Sequence, residues 1–107
     1  MAISDLTDPC QQINTLIPTS LLSTLDSLFL ELSSREVECL YWFAFGLSRQ
    51  AIAEKMQVSK PRIDQYLRSI LSKIPSPDYK SLIMIYNCRV FTYQLKMLSE
   101  IFNYIKM

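Results

Sequence analysis

Apolar residues along this chain recur mostly at three- and four-residue spacing, and strand-like alternation is weak, so helices are predicted. Residues 1–16 read as loop, with a short turn around Gln11–Leu16. Pro18, Thr19 and Ser20 give a helix-start signal. After it Leu21, Leu22, Leu25, Leu28, Phe29 and Leu32 share one broad face, predicting a helix of roughly three turns that ends near Glu31. The next start signal is stronger. Ser33 and Glu36 stand in the S-x-x-E capping-box arrangement, in which each side chain serves the other residue's orphan amide. Leu32 and Val37 can form the accompanying hydrophobic staple. That helix runs through Leu40, Tyr41, Ala44 and Phe45 and stops at Gly46, where a left-handed residue is expected.

Two shorter helices follow. Ser48 caps Arg49–Met56, with Ile52, Ala53 and Met56 turned inward, and Gln57-Val58 makes a tight connection. Ser59 or Lys60 caps the next helix, with Pro61 in its first turn, where the missing N–H costs little. Its Ile63, Leu67, Ile70 and Ile74 share one side with Tyr66 beside them; Arg62, Gln65, Arg68, Ser69 and Ser72 lie mostly on the other. The Pro-Ser-Pro at 75–77 ends it.

The segment from Asp78 to about Lys106 has no internal breaker and predicts one helix roughly 40 Å long. Met84, Cys88, Phe91, Leu95, Leu98, Phe102 and Ile105 repeat at spacings of four and three. Tyr79, Ile83, Tyr86, Val90, Tyr93, Met97 and Tyr104 form an adjacent row. A heptad-like row favours a helix–helix seam, and two rows on one helix imply two partners. One row is expected to pack on the leucine-rich helix and the central helices, the other against a second copy. The alternative is a helix that breaks and folds back within one chain.

Charge changes the picture by its distribution. The net charge is only +1 in 107 residues, which excludes a pervasive basic coat. Residues 1–31 hold four acids and no Lys or Arg, a local charge of −4. Residues 48–74 hold Arg49, Lys55, Lys60, Arg62, Arg68 and Lys73 against Glu54 and Asp64, a local charge of +4. A local positive region is what phosphate contact needs.

Candidate enzyme chemistry finds little to build on. With no His, His-based catalysis and His metal ligation are impossible. Cys10, Cys39 and Cys88 are far apart and odd in number, which fits free or buried thiols in a reducing, cytoplasmic setting. There is no secretory signal pattern, no transmembrane run and no Gly-rich phosphate loop. No cofactor, no metal and no membrane partner are expected.

The stretch from Leu32 to Ile74 resembles the LuxR-type, or GerE-type, helix-turn-helix of bacterial transcription regulators. The matching positions are Leu32, Ser33, Arg35, Glu36, Glu38, Leu40, Ala44, Gly46, Ser48, Ile52, Ala53, Val58, Ser59, Ile63, Ile70 and Lys73, in register and without gaps. The resemblance implies a scaffold helix at Leu47–Met56 and a recognition helix at Ser59–Ile74 that lies in the major groove of double-stranded DNA. It also implies that the following helix makes a dimer contact. Three regions result: a leader over 1–31, the motif over 32–74, and a dimerisation helix over 75–107. The expected fold is all-α, a LuxR-type tri-helical motif with an added leader helix and a long C-terminal helix. The 31 residues ahead of the motif are too few for the receiver or small-molecule domain of larger members, so any signal is expected to act through abundance, a partner or a pocket.

The chain departs from the family pattern at the reader itself. Arg49-Gln50-Ala51 replaces Asn-Lys-Glu, so a second capping box is lost; Arg62, Asp64 and Tyr66 replace Thr, Lys and His. Asp64 matters most, because the family Lys there usually touches DNA. In one reading DNA binding survives with altered specificity, since an Asp repels phosphate but accepts from cytosine N4. In the other, the fold no longer reads DNA and works by protein contact, as an anti-activator or as a heterodimerising adaptor for another transcription regulator. Either reading is compatible with Asp64 simply capping its helix or pairing with Arg68 at i,i+4. The leading expectation is a homodimeric DNA-binding regulator. Arg62, Asp64, Gln65 and Arg68 would meet base edges or nearby phosphates. Ser48, Arg49, Lys55, Lys60, Ser69 and Lys73 would position the backbone. Met84, Cys88, Phe91, Leu95, Leu98 and Phe102 would form the dimer seam.

Overall fold

The computed structural model describes residues 17–106. The loop expected over 1–16, with Cys10, lies outside them. The described residues form five helices and no strand: α1 Thr19–Leu28, α2 Ser34–Ala44, α3 Arg49–Met56, α4 Lys60–Lys73 and α5 Tyr79–Lys106.

α1 is shorter than its leucine spacing predicts. It ends at Leu28 rather than near Glu31, because Phe29 leaves helical geometry to bury its ring completely. That ring stacks on Tyr86 of α5 with centroids 5.5 Å apart. Arg89 of α5 closes the end. Its guanidinium donates to the Leu28 carbonyl at 3.0 Å, forms a two-pronged pair with Glu31 at 2.7 and 2.9 Å, and lies over the Phe29 ring. The hydrogen bonds from Arg89 hold the Glu31 carboxyl down at about 2, well below the usual range.

α2 starts as its sequence predicts. The Ser33 amide donates to Glu36 Oε1 at 2.8 Å and the Glu36 amide to Ser33 Oγ at 3.2 Å, so the capping box is complete. Gly46 takes φ +90° just past its end, and nothing lies within 4 Å of where a Cβ would sit. Backbone conformation, not space, requires glycine there. Gln57 makes the next turn with φ 58°, a left-handed residue without the glycine that usually advertises one. Arg35 reaches across to this turn and donates to the Met56 carbonyl at 3.1 Å.

The core is assembled from one side of each helix: Val37, Cys39 and Leu40 of α2, Ile52 of α3, Ile63, Leu67 and Ile70 of α4, and Leu82 of α5. Burial pushes the Cys39 thiol up to about 12. α4 packs on α2 and α3, and α5 packs on α1 and α2.

α5 is one unbroken helix, so the fold-back alternative is not what occurs. The row expected to pack internally does so only in part. Tyr79, Ile83, Tyr86, Val90 and Tyr93 are wholly or partly covered, but Met97 and Tyr104 are exposed. The most buried residue of the helix, Leu82, belongs to neither row. It lies on the flank of the Tyr86 and Tyr93 row that faces away from the other row, and this flank is the buried side of the helix. Every member of the other row, from Met84 to Ile105, is exposed.

Candidate nucleic-acid interface

α4 is held from three directions, and these restraints decide which of its polar groups remain free. Its apolar side is sealed in the core. Its first turn is capped by Ser59, whose hydroxyl accepts from the Arg62 amide at 3.3 Å. Its last two turns are pinned to α2 through Glu36. Lys73 Nζ donates to both carboxylate oxygens, at 2.8 and 3.1 Å, and Ser69 Oγ donates to Oε2. Glu36 is 4% exposed, the one buried charged side chain among the described residues. Burial alone would raise its pKa, but the hydrogen bonds from Lys73, Ser69 and the Ser33 amide outweigh it and hold the carboxyl down at about 2. One carboxylate thus closes the α2 cap and fixes the far end of α4.

Asp64 is tied as well, though not to Arg68. Its Oδ1 forms an ion pair with Arg49 Nε of α3 at 2.8 Å. Asp64 occupies the flank of α4 that faces α3, whereas Arg68, one turn on, points out to solvent. Arg49 is gripped a second time, its guanidinium 5.2 Å from the centre of the Tyr79 ring at the start of α5. Both partners are about a third exposed, so the pair contributes under about 1 kcal/mol to stability. Its larger effect is on charge: the acid at the reader is neutralised by its neighbour.

The remaining predicted residues divide cleanly. Lys60 and Arg68 are exposed and carry no ion pair among the described residues. Arg62 and Gln65 are also exposed. Arg62 Nη1 donates to Gln65 Oε1 at 3.2 Å, and its guanidinium lies 4.8 Å from the Tyr66 ring centre. Lys55 sits over the Trp42 ring at 5.6 Å. Ser48 is occupied as the cap of α3, accepting from the Ala51 amide at 3.1 Å. The outward face of α4 is therefore a row of Lys60, Arg62, Gln65 and Arg68, with Asp64 masked beside it.

A family model for bacterial regulatory proteins of the luxR family matches residues 30–85, just over half of the chain. The chain belongs to the luxR family of bacterial regulatory proteins. Comparison with curated proteins and with solved structures finds no match. The luxR-family match takes in α2, α3, α4 and the opening turns of α5, and it makes the chain a DNA-binding regulator by type. Most of α5 lies beyond it. No helix among the described residues is long and apolar enough to cross a membrane.

Two features of this luxR-family site have no local signal. Glu36 reads as a capping residue, and nothing near it in sequence links it to Ser69 and Lys73, 33 and 37 positions away. The Arg49–Asp64 pair likewise exists only because α3 and α4 cross.

Proposed function

We propose that this chain binds duplex DNA as a homodimer, each protomer laying α4 in the major groove. The observation that carries the reading is the row Lys60, Arg62, Gln65 and Arg68, exposed on a helix whose opposite side is completely buried. Arg62, Gln65 and Arg68 reach base edges, and Lys60 and Lys55 meet phosphates. Ser69 and Lys73 set the tilt of α4 through Glu36, and Ser48 fixes the start of α3. The acid does not spoil the face, because Arg49 cancels its charge. When a phosphate draws Arg49 away, Asp64 is freed to accept from a cytosine amino group.

The homodimer rests on α5. Eight large apolar side chains from Phe91 to Ile105 stand 40–79% exposed. That amounts to on the order of 900 Å² of apolar surface, above the roughly 300–600 Å² of the largest patch on a typical monomer. Covering it on two copies removes about 1,800 Å², the size of a standard stable interface. The same surface also favours a second reading, in which the chain captures another regulator and does not bind DNA.

A gel-shift assay at two salt concentrations separates the two. DNA binding that weakens steeply with salt supports the proposal; no shift on any DNA at low salt overturns it in favour of protein capture. Selection from random DNA with Asp64→Lys beside the native protein then tests the role of the acid. An unchanged base preference would remove Asp64 from the reader.

A further inference from the structure

A hollow of about 320 Å³ opens between α1, α2 and α5. Leu21, Leu25, Tyr41, Phe45 and Val90 make it mostly apolar, and Phe45 stands 65% exposed at its margin. Gln94 lines this hollow and also the exposed apolar surface around Phe91, Leu95 and Leu98. The groove and the uncovered half of α5 are therefore one continuous surface.

We infer that the groove is filled by the C-terminal half of α5 from a second copy, running antiparallel. This rests on the homodimer reading and adds its direction and its second contact. The apolar arc of α5 beyond Val90 is two rows wide. Phe91, Leu95, Leu98, Phe102 and Ile105 form one; Met97, Ile101 and Tyr104 form the next, in line with Val90 and Gln94 at spacings of four and three. A seam with a single helix covers only the first row.

The spacing fixes a register. In the heptad frame Cys88, Leu95 and Phe102 take one core position, and Phe91, Leu98 and Ile105 the other. Antiparallel seams set one kind of position against the other. Leu95 then meets the partner's Leu98, Phe91 the partner's Phe102, and Cys88 the partner's Ile105. The two helices cross between Lys96 and Met97. In this register the partner's Ile101 and the partner's Ile105 arrive level with residues 88–92, at the mouth of the groove that Asn87, Val90 and Gln94 border. Two-fold symmetry turns the second rows of both helices to the same side as the grooves. A parallel pair would leave Met97, Ile101 and Tyr104 in water, because no other helix of either copy lies beside them.

Cysteine cross-linking tests this on the full chain with Cys10→Ser and Cys88→Ser. One preparation carries Leu95→Cys and the other Leu98→Cys, both at exposed positions. The antiparallel register is supported if oxidation links the mixed chains while each alone links poorly. Efficient linking of Leu98→Cys chains to one another overturns it and leaves the homodimer standing. A monomer by light scattering at micromolar concentration overturns both. As an independent readout, Ile101→Glu raises the dimer Kd about a hundredfold or more, since it places a carboxylate in the groove. Met84→Glu, whose antiparallel counterpart would lie beyond Lys106, the last described residue of α5, leaves Kd within a few-fold; an equal loss from Met84→Glu overturns the register.

Discussion

Replacing Glu36 with Gln should cost this fold more than any other single change to a charged residue. The carboxylate accepts from the Ser33 amide, from Ser69 and twice from Lys73 while being almost fully buried. The amide keeps one accepting oxygen and turns an NH₂ group toward donors. A carboxyl held at about 2 instead of 4.5 corresponds to about 3 kcal/mol of folding free energy at neutral pH. Because the folded-state pKa is depressed, that contribution is complete above pH 4.5 and is lost as pH falls toward 2. Lys73 is 42% exposed on its side chain and can be rehydrated, so about 2–3 kcal/mol is the expected net loss for Glu36→Gln at pH 7. Urea denaturation at one fixed protein concentration, at pH 7 and at pH 3, reads both quantities. The variant should be weaker at pH 7 and flatter with pH, so that the two proteins converge in acid. A variant within about 0.5 kcal/mol of the native protein at pH 7, or one that keeps the native pH slope, would show that Glu36 does not anchor α4.

Three smaller effects should accompany it. Arg68→Ala should lower DNA affinity and reduce the slope of log affinity against log salt by about one, measured by fluorescence anisotropy, if Arg68 meets a phosphate, while an unchanged slope with altered base preference places it on a base. Gly46→Ala should cost about 1 kcal/mol in urea denaturation through φ +90° alone, with no clash to relieve. Cys39, its thiol raised by burial, should resist iodoacetamide in the folded chain and react only in denaturant, as peptide mass mapping would show.

Much of this architecture is legible in the residues because the signals are local. Ser33 with Glu36, Gly46, Ser48, and Ser59 with Pro61 each declare a helix boundary within four positions, and the structure places boundaries there. Two departures have tertiary causes. α1 stops early because Phe29 gains more from the ring of Tyr86 than from another helical turn. Leu82 is sealed although it falls outside both apolar rows, because the helix turns inward the flank of its second row that faces away from the first. The charged residues were least legible. Composition counts six cations between Arg49 and Lys73, but only packing shows that Arg49 and Lys73 already have anionic partners and that Lys60 and Arg68 do not.

Arg89 carries a practical lesson about where this protein can be cut. The family signature stops at residue 85, yet the arginine that clamps the Leu28 carbonyl and Glu31 lies four positions beyond it, as does the ring of Tyr86 by one. A fragment that kept the leader helix but ended where the signature ends would leave the Phe29 ring and the Leu28 carbonyl without these partners. A piece that keeps the leader helix docked must therefore extend past Arg89, so the boundary recognised by kinship is not the boundary set by these contacts.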